Sequence, residues 1–327
     1  MPTLYDPITI GHTKLWNRLV MAPMAFGLSN ERGEVTEKLV KHYLERCDGL
    51  GLIIIEATCV SKEGRMFEKQ LSLADDGNMD AFESLVDLLH SRKVKVAIQL
   101  AHAGGTASSK VIGTQPLAPS PVMIPEGSKE VPCEMRVGDI DKAVVDFVEA
   151  AGKASDAGFD AVELHGAHGY LLNQFLSPIT NRRDDEYGGS LANRLRISRR
   201  IIEGIKRRYP NLTILYRLGA EDVAPGGLSL SQGVEAAALL EGMGVDAIDV
   251  SGGVGVSLKW IDGQSKVGFL ISQARAVKAA VKVPVIGVGG IKSLDEADSF
   301  IRMDSADLIA VGRAILKNPK WALHTHL

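Results

Sequence analysis

Three side chains that can bind or transfer a proton lie close together in the stretch AVELHGAHGYLLNQFLSP, which runs from Ala161 to Pro178. His165 and His168 are three residues apart, and Tyr170 follows two residues later. The stretch changes there from a strand-like to a helix-like pattern, so the three side chains are predicted at a strand-to-helix junction, where functional residues are common. A histidine pair can bind a metal, but no clear third ligand accompanies it. Packing roles for one histidine and for the tyrosine are the other alternative.

The composition is that of an ordinary globular chain, with 45% hydrophobic and 24% charged residues among 327. A net charge of -3 gives no electrostatic reason to expect nucleic acid or an anionic membrane as a partner. The longest apolar runs are too short to span a bilayer, and the N-terminus lacks a secretory signal, so a cytoplasmic protein is expected. The scattered Cys47, Cys59 and Cys133 argue against a disulfide framework or a cysteine metal site.

Short apolar runs rich in β-branched residues alternate with longer helical patterns along the chain. Eight of these runs are RLVMAP, GLIIIEATCV, VKVAIQL, DAVELH, TILYRL, DAIDVS, PVIGVGG and DLIAVGR. Nearly continuous apolar strands separated by helices indicate a parallel sheet buried on both faces, and eight such units close into a (β/α)₈ TIM barrel. The predicted fold class is therefore α/β, with one domain over residues 1–327.

Two features are added to this barrel. The segment ITIGHTKL alternates around a glycine and predicts a small N-terminal hairpin that caps the barrel floor. The connection after the third strand, from about Ala101 to Arg136, is rich in Gly, Pro and Ser. It is too long for an ordinary loop between strand and helix, which indicates a lid or active-site loop.

Active sites of such barrels lie at the carboxyl ends of the strands, where the sequence places an unusual number of polar residues and glycines. In strand order they are Gln99, His102, His165, His168, Arg217, Ser251, Gly253, Gly289, Gly290, Gly312 and Arg313. Glycines after the seventh and eighth strands allow backbone N–H groups to approach an anion, and the helix N-termini that follow favour negative charge. Ordinary tight turns would explain either glycine group alone, but the pair of them predicts a phosphate site.

Four segments of the chain resemble the Old Yellow Enzyme family of flavin-dependent ene-reductases. They are NRLVMAPM, IQLAHAG, HGAHGYLLNQFLSPITNRRDDEYGGSLANRLR and LIAVGRAILKNP, and the similarity extends over nearly the whole chain. The resemblance implies a barrel that binds FMN non-covalently. It further implies reduction of activated C=C bonds of α,β-unsaturated carbonyl compounds by NADH or NADPH, through ping-pong hydride transfer. A homo-oligomer is also expected, because dimers and tetramers occur in the family.

The resemblance assigns several side chains to FMN. Pro23, Met24 and Ala25 would line the isoalloxazine ring, Cys59 would lie beside it, and Gln99 would bind its pyrimidine edge. Arg217 would face the N1–C2=O edge, where a guanidinium stabilises the negative charge of the reduced flavin. A structural ion pair with a loop carboxylate such as Glu221 is the alternative for Arg217. The phosphate predicted from the glycines would be that of FMN, with Gly289, Gly290, Gly312 and Arg313 around it. Ser251 and Gly253 are also assigned to the cofactor.

In the same resemblance His165 and His168 would hold the carbonyl oxygen of the substrate and stabilise the enolate that forms on reduction. Tyr170 would deliver a proton to the α-carbon on the opposite side from the flavin. Neither role requires a metal.

Some positions depart from the family pattern. Ala25 stands where many relatives carry Thr or Cys, and Phe26 with Gly27 follows where one subgroup has an aromatic substrate contact. The stretch MAFGLSNERGEVTEKLVKHY is closer to the barrels of 2,4-dienoyl-CoA reductases and trimethylamine dehydrogenases. Those proteins continue into cysteines for an iron–sulfur cluster, whereas this chain is expected to take electrons directly from the nicotinamide.

Two alternative functions remain open. The first keeps the flavin but changes the reaction, to amine oxidation, isomerisation or reduction of a dienoyl thioester. The second is a flavin-free phosphate-binding barrel that acts as a lyase or isomerase, or as a binding protein.

Overall fold

A computed structural model describes residues 1–124, 127–256, 263–264 and 266–323. Two short strands, β1 (Ile8–Ile10) and β2 (Thr13–Leu15), form an antiparallel hairpin at the N-terminus. Eight parallel strands then close into a barrel in chain order, the last pairing with the first. They are β3 (Leu19–Met21), β4 (Leu52–Cys59), β5 (Lys95–Ala101), β8 (Ala161–Gly166), β9 (Thr213–Gly219), β10 (Ala247–Ser251), β11 (Val285–Gly287) and β12 (Leu308–Val311). The predicted (β/α)₈ barrel is confirmed.

Helices between successive strands cover the outside of the barrel. In chain order they are α1 (Glu37–Leu44), α2 (Met79–Ser91), α3 (Ser109–Ile112), α4 (Val137–Asp156), α5 (Leu171–Leu176), α6 (Leu191–Arg194), α7 (Arg196–Arg208), α8 (Leu230–Met243), α9 (Ile271–Lys278), α10 (Leu294–Arg302) and α11 (Arg313–Lys317). Helix α7 shows the general pattern, because Ile197, Ile201 and Ile205 recur every fourth residue and are buried against the barrel. Among the described helices, none is long and apolar enough to cross a membrane.

The hairpin closes the amino-terminal end of the barrel. Ile10 and Leu15 pack with the apolar side chains inside the barrel. The backbone N–H of His12 donates to Thr213 Oγ1 at 3.1 Å, and Thr13 Oγ1 donates to the carbonyl of Asp160 at 3.0 Å. These contacts tie the hairpin to the first residues of β8 and β9, so the predicted floor cap is confirmed.

The long connection between β5 and α4 is ordered by short elements. It contains a 3₁₀ turn (Gly104–Thr106), α3 and a two-stranded sheet of β6 (Leu117–Ala118) and β7 (Cys133–Glu134). Arg183 secures the sheet, because its Nη1 donates to the carbonyls of Pro119 and Met135 at 3.0 and 2.7 Å. Arg183 belongs to the charged segment NRRDDEYGGS, residues 181–190. This segment therefore holds the long connection against the carboxyl end of the barrel.

Asp160 organises the start of β8 at the opposite end of the barrel. Its Oδ2 accepts from the Val96 N–H at 2.9 Å and lies 2.7 Å from His90 Nε2, while its Oδ1 accepts from Lys95 Nζ at 2.6 Å. Burial raises the pKa of the carboxyl, but these hydrogen bonds outweigh it and hold the pKa below 3.8.

Replacing Asp160 by Asn should lower the free energy of unfolding by about 1.5 to 3 kcal/mol, the range for hydrogen bonds to a charged group. Because the folded pKa is depressed, this contribution is present above pH 3.8 and disappears as the pH falls through the folded value. Denaturant unfolding measures the loss, with Asp156→Asn at the exposed end of α4 as the control. Equal unfolding midpoints for the two variants near neutral pH would contradict this role.

Candidate active site

A cavity of about 600 Å³ opens at the carboxyl ends of the barrel strands, a size typical of cofactor and substrate sites. The predicted site residues that line it are Pro23, Met24, Ala25, Gln99, His165, His168, Tyr170, Arg217, Ser251, Gly289, Gly290, Gly312 and Arg313. A larger groove of about 1040 Å³ lies outside the barrel, between α1, α2 and the last described turn. It contains none of the predicted site residues, so the smaller cavity is the candidate active site.

The loop after β8 holds its histidines in a demanding backbone conformation. His168 has a φ of 58°, in the left-handed region that residues other than glycine seldom adopt, and Gly169 follows with a φ of 74°. The N–H of His168 donates to the Gly252 carbonyl at 3.1 Å, and the N–H of Gly169 donates to Asn173 Oδ1 at 2.8 Å. Strained residues of this kind persist where the surroundings fix them, and they are concentrated at functional sites.

The two imidazoles and the phenol lie edge to face at the cavity wall. The ring centroids of His165 and His168 are 5.2 Å apart, and those of His165 and Tyr170 are 4.8 Å apart. His165 Nδ1 is 3.4 Å from the Ala167 N–H, which points to Nε2 as the protonated nitrogen. His168 Nε2 lies 2.7 Å from Ser251 Oγ. The structure thus brings the three residues together as the sequence predicted.

Burial fixes the protonation of these groups. It lowers the pKa of His165 well below 6.5, helped by His168 and Arg217, and it lowers the pKa of His168 to about 3, helped by Arg217. Burial also raises the pKa of the Tyr170 phenol above 10. At neutral pH both imidazoles are therefore neutral, with one N–H donor each, and the phenol keeps its proton.

The cavity floor contains a charged cluster that the sequence analysis missed. Arg217 lies beside Asp249, with 3.5 Å between Nε and Oδ2, and Asp249 is adjacent to Glu163. Gln99 Nε2 donates to Glu163 Oε1 at 2.7 Å. Glu221, the partner considered for Arg217, instead accepts from Gln273 at 3.2 Å. The signal that could have revealed the cluster was an acidic residue inside each of the apolar runs DAVELH and DAIDVS.

Two predicted FMN contacts lie outside the cavity. Cys59 is fully buried at the end of β4, and the cavity is lined instead by Ala57. The pairing of β4 with β5 shifts register between Ile55 and Thr58, a β-bulge that changes which residues face inward. Gly253 is also elsewhere, because its N–H already donates to the Glu221 carbonyl at 2.8 Å. The structure therefore places neither Cys59 nor Gly253 in the lining of this cavity.

Glycines form one end of the cavity. Gly289 and Gly290 have φ values of 133° and 65°, and a Cβ on Gly289 would lie 2.9 Å from the Leu270 backbone nitrogen. Only glycine fits there without strain. The helix that follows, α10, begins with its own capping box: Glu296 Oε2 accepts from the N–H of Ser293 at 3.1 Å, and Ser293 Oγ accepts from the N–H of Glu296 at 3.2 Å.

An aromatic wall, also missed from sequence, completes the cavity. Phe26, Phe67 and Phe269 line it. The Phe26 ring packs against His42 with centroids 4.1 Å apart, and the Phe26 N–H donates to Glu56 Oε2 at 3.1 Å. Burial of Glu56 raises the pKa of its carboxyl to about 7, although the bond from Phe26 opposes the shift.

The donor set of the cavity fits FMN. Apolar walls suit a flat ring system, the Arg217 guanidinium can meet a developing negative charge, and the glycine end admits close approach of backbone to a phosphate. Among the described residues, no hydrogen-bond acceptor is recorded for Arg217 Nε, whose nearest anionic group is Asp249 Oδ2 at 3.5 Å. No three His, Cys, Asp or Glu side chains of the described chain come together as metal ligands.

The fold and this cavity define a barrel oxidoreductase of the flavin-binding class. The chain belongs to the NADH:flavin oxidoreductase / NADH oxidase family, whose sequence model matches residues 3–326. The family confirms the resemblance stated above, and the cofactors are FMN with NADH or NADPH.

Known relatives agree with this assignment. The chain is 39% identical to an NADH oxidase of Thermoanaerobacter brockii over 329 residues, which cover 98% of the chain and 50% of the relative. It resembles the old yellow enzyme homologue of Zymomonas mobilis with a TM-score of 0.85 and 27% identity, covering 100% and 94% of the two chains. Morphinone reductase in complex with tetrahydroNAD gives 0.83 and 25%, covering 100% and 92%. The chain thus spans about half the length of the NADH oxidase.

Because their pKa values are depressed, His165 and His168 should stay neutral from about pH 8 down to about pH 5. NMR of histidine-labelled protein should show their ring signals unmoved over that range, while in the urea-unfolded chain all histidines titrate near 6.5. The folded state gives up stability as pH falls below 6.5, since only the unfolded chain then binds these protons. A folded-state titration of either ring near pH 6.5 would contradict the assignment.

Proposed function

We propose that this FMN-dependent oxidoreductase reduces the activated C=C bond of α,β-unsaturated carbonyl compounds with electrons from NADH or NADPH. The observation that carries the proposal is the convergence of His165, His168 and Tyr170 on one apolar cavity that also contains Arg217. Two neutral N–H donors and a protonated phenol provide an oxygen-binding pair and a proton source. These are the two functions that reduction of an enone requires.

The chain's own residues would hold FMN in two groups. Pro23, Met24 and Ala25 would contact the ring, with Gln99 and Arg217 at its polar edge. At the other end of the cavity Arg313 and the glycines Gly289, Gly290 and Gly312 would hold the phosphate. Ser251, beside His168, would also contact the cofactor. Bound FMN supplies a two-electron relay between nicotinamide and substrate. Arg217 supports it, because a fixed cation stabilises the charge gained on reduction.

His165 and His168 would bind the carbonyl oxygen of the substrate. As negative charge develops on that oxygen, hydrogen bonds from both rings strengthen, and this difference lowers the barrier. The donors are fixed before substrate arrives, since Ala167 orients His165 and Ser251 orients His168. Ser251 would donate to His168 Nε2, which leaves Nδ1–H as the donor.

Tyr170 would donate a proton to the α-carbon. Its raised pKa keeps the phenol protonated at neutral pH, and its ring contact with His165 places it beside the oxygen-binding pair. A positioned acid of this kind is a direct source of the proton.

Purified protein should be yellow or become yellow with FMN, and the colour should bleach with NADH or NADPH under anaerobic conditions. Adding an enone such as cyclohexenone should then restore the oxidised absorbance and yield the saturated ketone. Bleaching without restoration by any enone, maleimide or nitroalkene would contradict ene reduction, and a protein that cannot bind FMN would overturn the whole proposal.

Changing Tyr170 to Phe should separate proton donation from substrate binding. Bleaching by NAD(P)H and binding of a phenol should persist, whereas enone reduction should fall by about 10² to 10⁴. Nitroalkenes form a controlled comparison, because their nitronate product can leave without protonation at carbon, so the variant should still reduce them. His165→Ala should instead weaken phenol binding. An unchanged rate of enone reduction in Tyr170→Phe would remove the tyrosine from the chemistry.

The similarity to an NADH oxidase favours a second candidate, in which dioxygen is the electron acceptor. Oxygen-electrode measurements with NADH alone distinguish it. Rapid turnover with oxygen and none with enones would favour the oxidase.

The alternatives of amine oxidation and dienoyl thioester reduction are tested under the same anaerobic conditions, by adding an amine to the oxidised protein or a thioester to the reduced protein.

A further inference from the structure

Four polar side chains from successive strands meet inside the barrel beneath the cavity. Gln99 on β5 pairs in register with Glu163 on β8, and Arg217 on β9 pairs with Asp249 on β10. Glu163 and Asp249 are both completely buried. Gln99 Nε2 donates to Glu163 Oε1 at 2.7 Å, and Asp249 Oδ2 lies 3.5 Å from Arg217 Nε, so the two carboxyls belong to one buried polar layer.

The two carboxyls lack donors. Among the described residues, no N–H or O–H donor bonds to Glu163 Oε2 or to either oxygen of Asp249. Arg217 Nε is 3.5 Å from Asp249 and forms an ion pair with it but no hydrogen bond. Two fully buried carboxyls that share one cation, and whose oxygens lack hydrogen-bond donors from the described residues at three of four positions, cannot both stay ionised without a large cost. The geometry therefore implies that the pair holds a proton.

The surroundings support this conclusion. Burial, then repulsion from Asp249, raises the pKa of Glu163 well above 4.5, and burial raises the pKa of Asp249 despite the Arg217 charge. The charged and titratable groups facing the pair are Arg217 on β9 and, above it, His165 and His168, which are neutral.

The other strands present apolar side chains to the barrel interior, including Val20, Ile54, Ile286 and Ala310. Glu56 on β4 is a separate buried acid, bonded to Phe26.

We propose that the Glu163–Asp249 pair is a proton-binding site linked to the charge of the cofactor. The inference rests on the proposed position of FMN beside Arg217. In the oxidised enzyme the guanidinium and a pair holding one proton sum to zero charge. Reduction by NADH, which leaves as NAD⁺, makes the bound cofactor one unit more negative. Uptake of one proton from solvent by the pair restores zero charge in a region where an uncompensated charge is costly.

The linkage has a measurable sign. Added negative charge raises the proton affinity of the pair, so its proton affinity is higher in the reduced enzyme than in the oxidised one. The pair therefore titrates at a higher pH in the reduced enzyme than in the oxidised enzyme. Between these two titration points, reduction takes up one additional proton per two electrons. Each pH unit then changes the equilibrium constant of reduction by a further factor of ten. The slope of midpoint potential against pH therefore becomes steeper by about 30 mV per pH unit.

Potentiometric titration of the FMN-loaded protein across pH tests the proposal. Wild type should show a pH interval with this extra slope, and Glu163→Gln and Asp249→Asn should both lack it. Proton uptake by the flavin itself is common to all variants and cancels in the comparison. Glu56→Gln is the matched control, since it removes another buried carboxyl without touching Arg217, and it should keep the wild-type slope.

Equal slopes of midpoint potential against pH in wild type, Glu163→Gln and Asp249→Asn would overturn the proposal. Loss of the steeper pH interval in Glu56→Gln would also overturn it. If the variants of Glu163 and Asp249 do not fold, infrared difference spectra of wild type test the inference instead. Reduction should add a C=O band of a protonated carboxyl group, and absence of that band would overturn the inference.

FMN binding is measured before these experiments. A wild type that binds no FMN contradicts the proposed function, whereas one that binds FMN but lacks the interval contradicts only the proton site.

Discussion

The buried positive charge of Arg217 is the feature on which the rest of the active site depends. Its side chain enters a barrel interior filled mainly by aliphatic residues, where an isolated charge would cost far more than the fold could supply. Asp249 compensates it directly, and Glu163 and Gln99 extend the polar layer across the neighbouring strands. Burial depresses the pKa values of both histidines, and the same cation adds to the shift. One buried charge thus influences the cavity floor and the wall.

The wall depends on a backbone that is fixed from several sides. His168 adopts a left-handed conformation, which costs about 1 to 3 kcal/mol for a residue with a side chain. Asn173 from α5 and the Gly252 carbonyl after β10 hold the loop in place. Since these partners lie on different elements, the orientation of the imidazoles is a property of the closed barrel. Fixed donors need little reorganisation when charge develops on a substrate, which is how preorganised sites accelerate reactions.

The cavity combines two environments that one bound cofactor would require. Aromatic and aliphatic side chains, including Phe67 and Phe269, form part of its lining, and Arg217 and the glycine turns form another part. Hydrogen bonds formed in surroundings of low polarity are stronger than in water. The family match over residues 3–326 accords with this division.

The sequence by itself determined the barrel, its hairpin, and the histidines, tyrosine, arginine and glycines of the cavity. Alternation of apolar runs with helical patterns specifies parallel strands, and in such a barrel the carboxyl end of every strand meets one face. Proximity of His165 to Arg217 therefore follows from position along the strands, whatever the details of packing.

Only the tertiary structure decided which way individual side chains point and which groups are already bonded. A bulge in β4 brings Ala57 rather than Cys59 to the cavity, and a hydrogen bond to Glu221 removes the Gly253 N–H from it. The placement of Glu163 and Asp249 in one layer depends on strand register around the closed barrel. Local sequence does not encode these features, because a shift of one residue reverses the facing of a strand and hydrogen-bond partners come from distant segments.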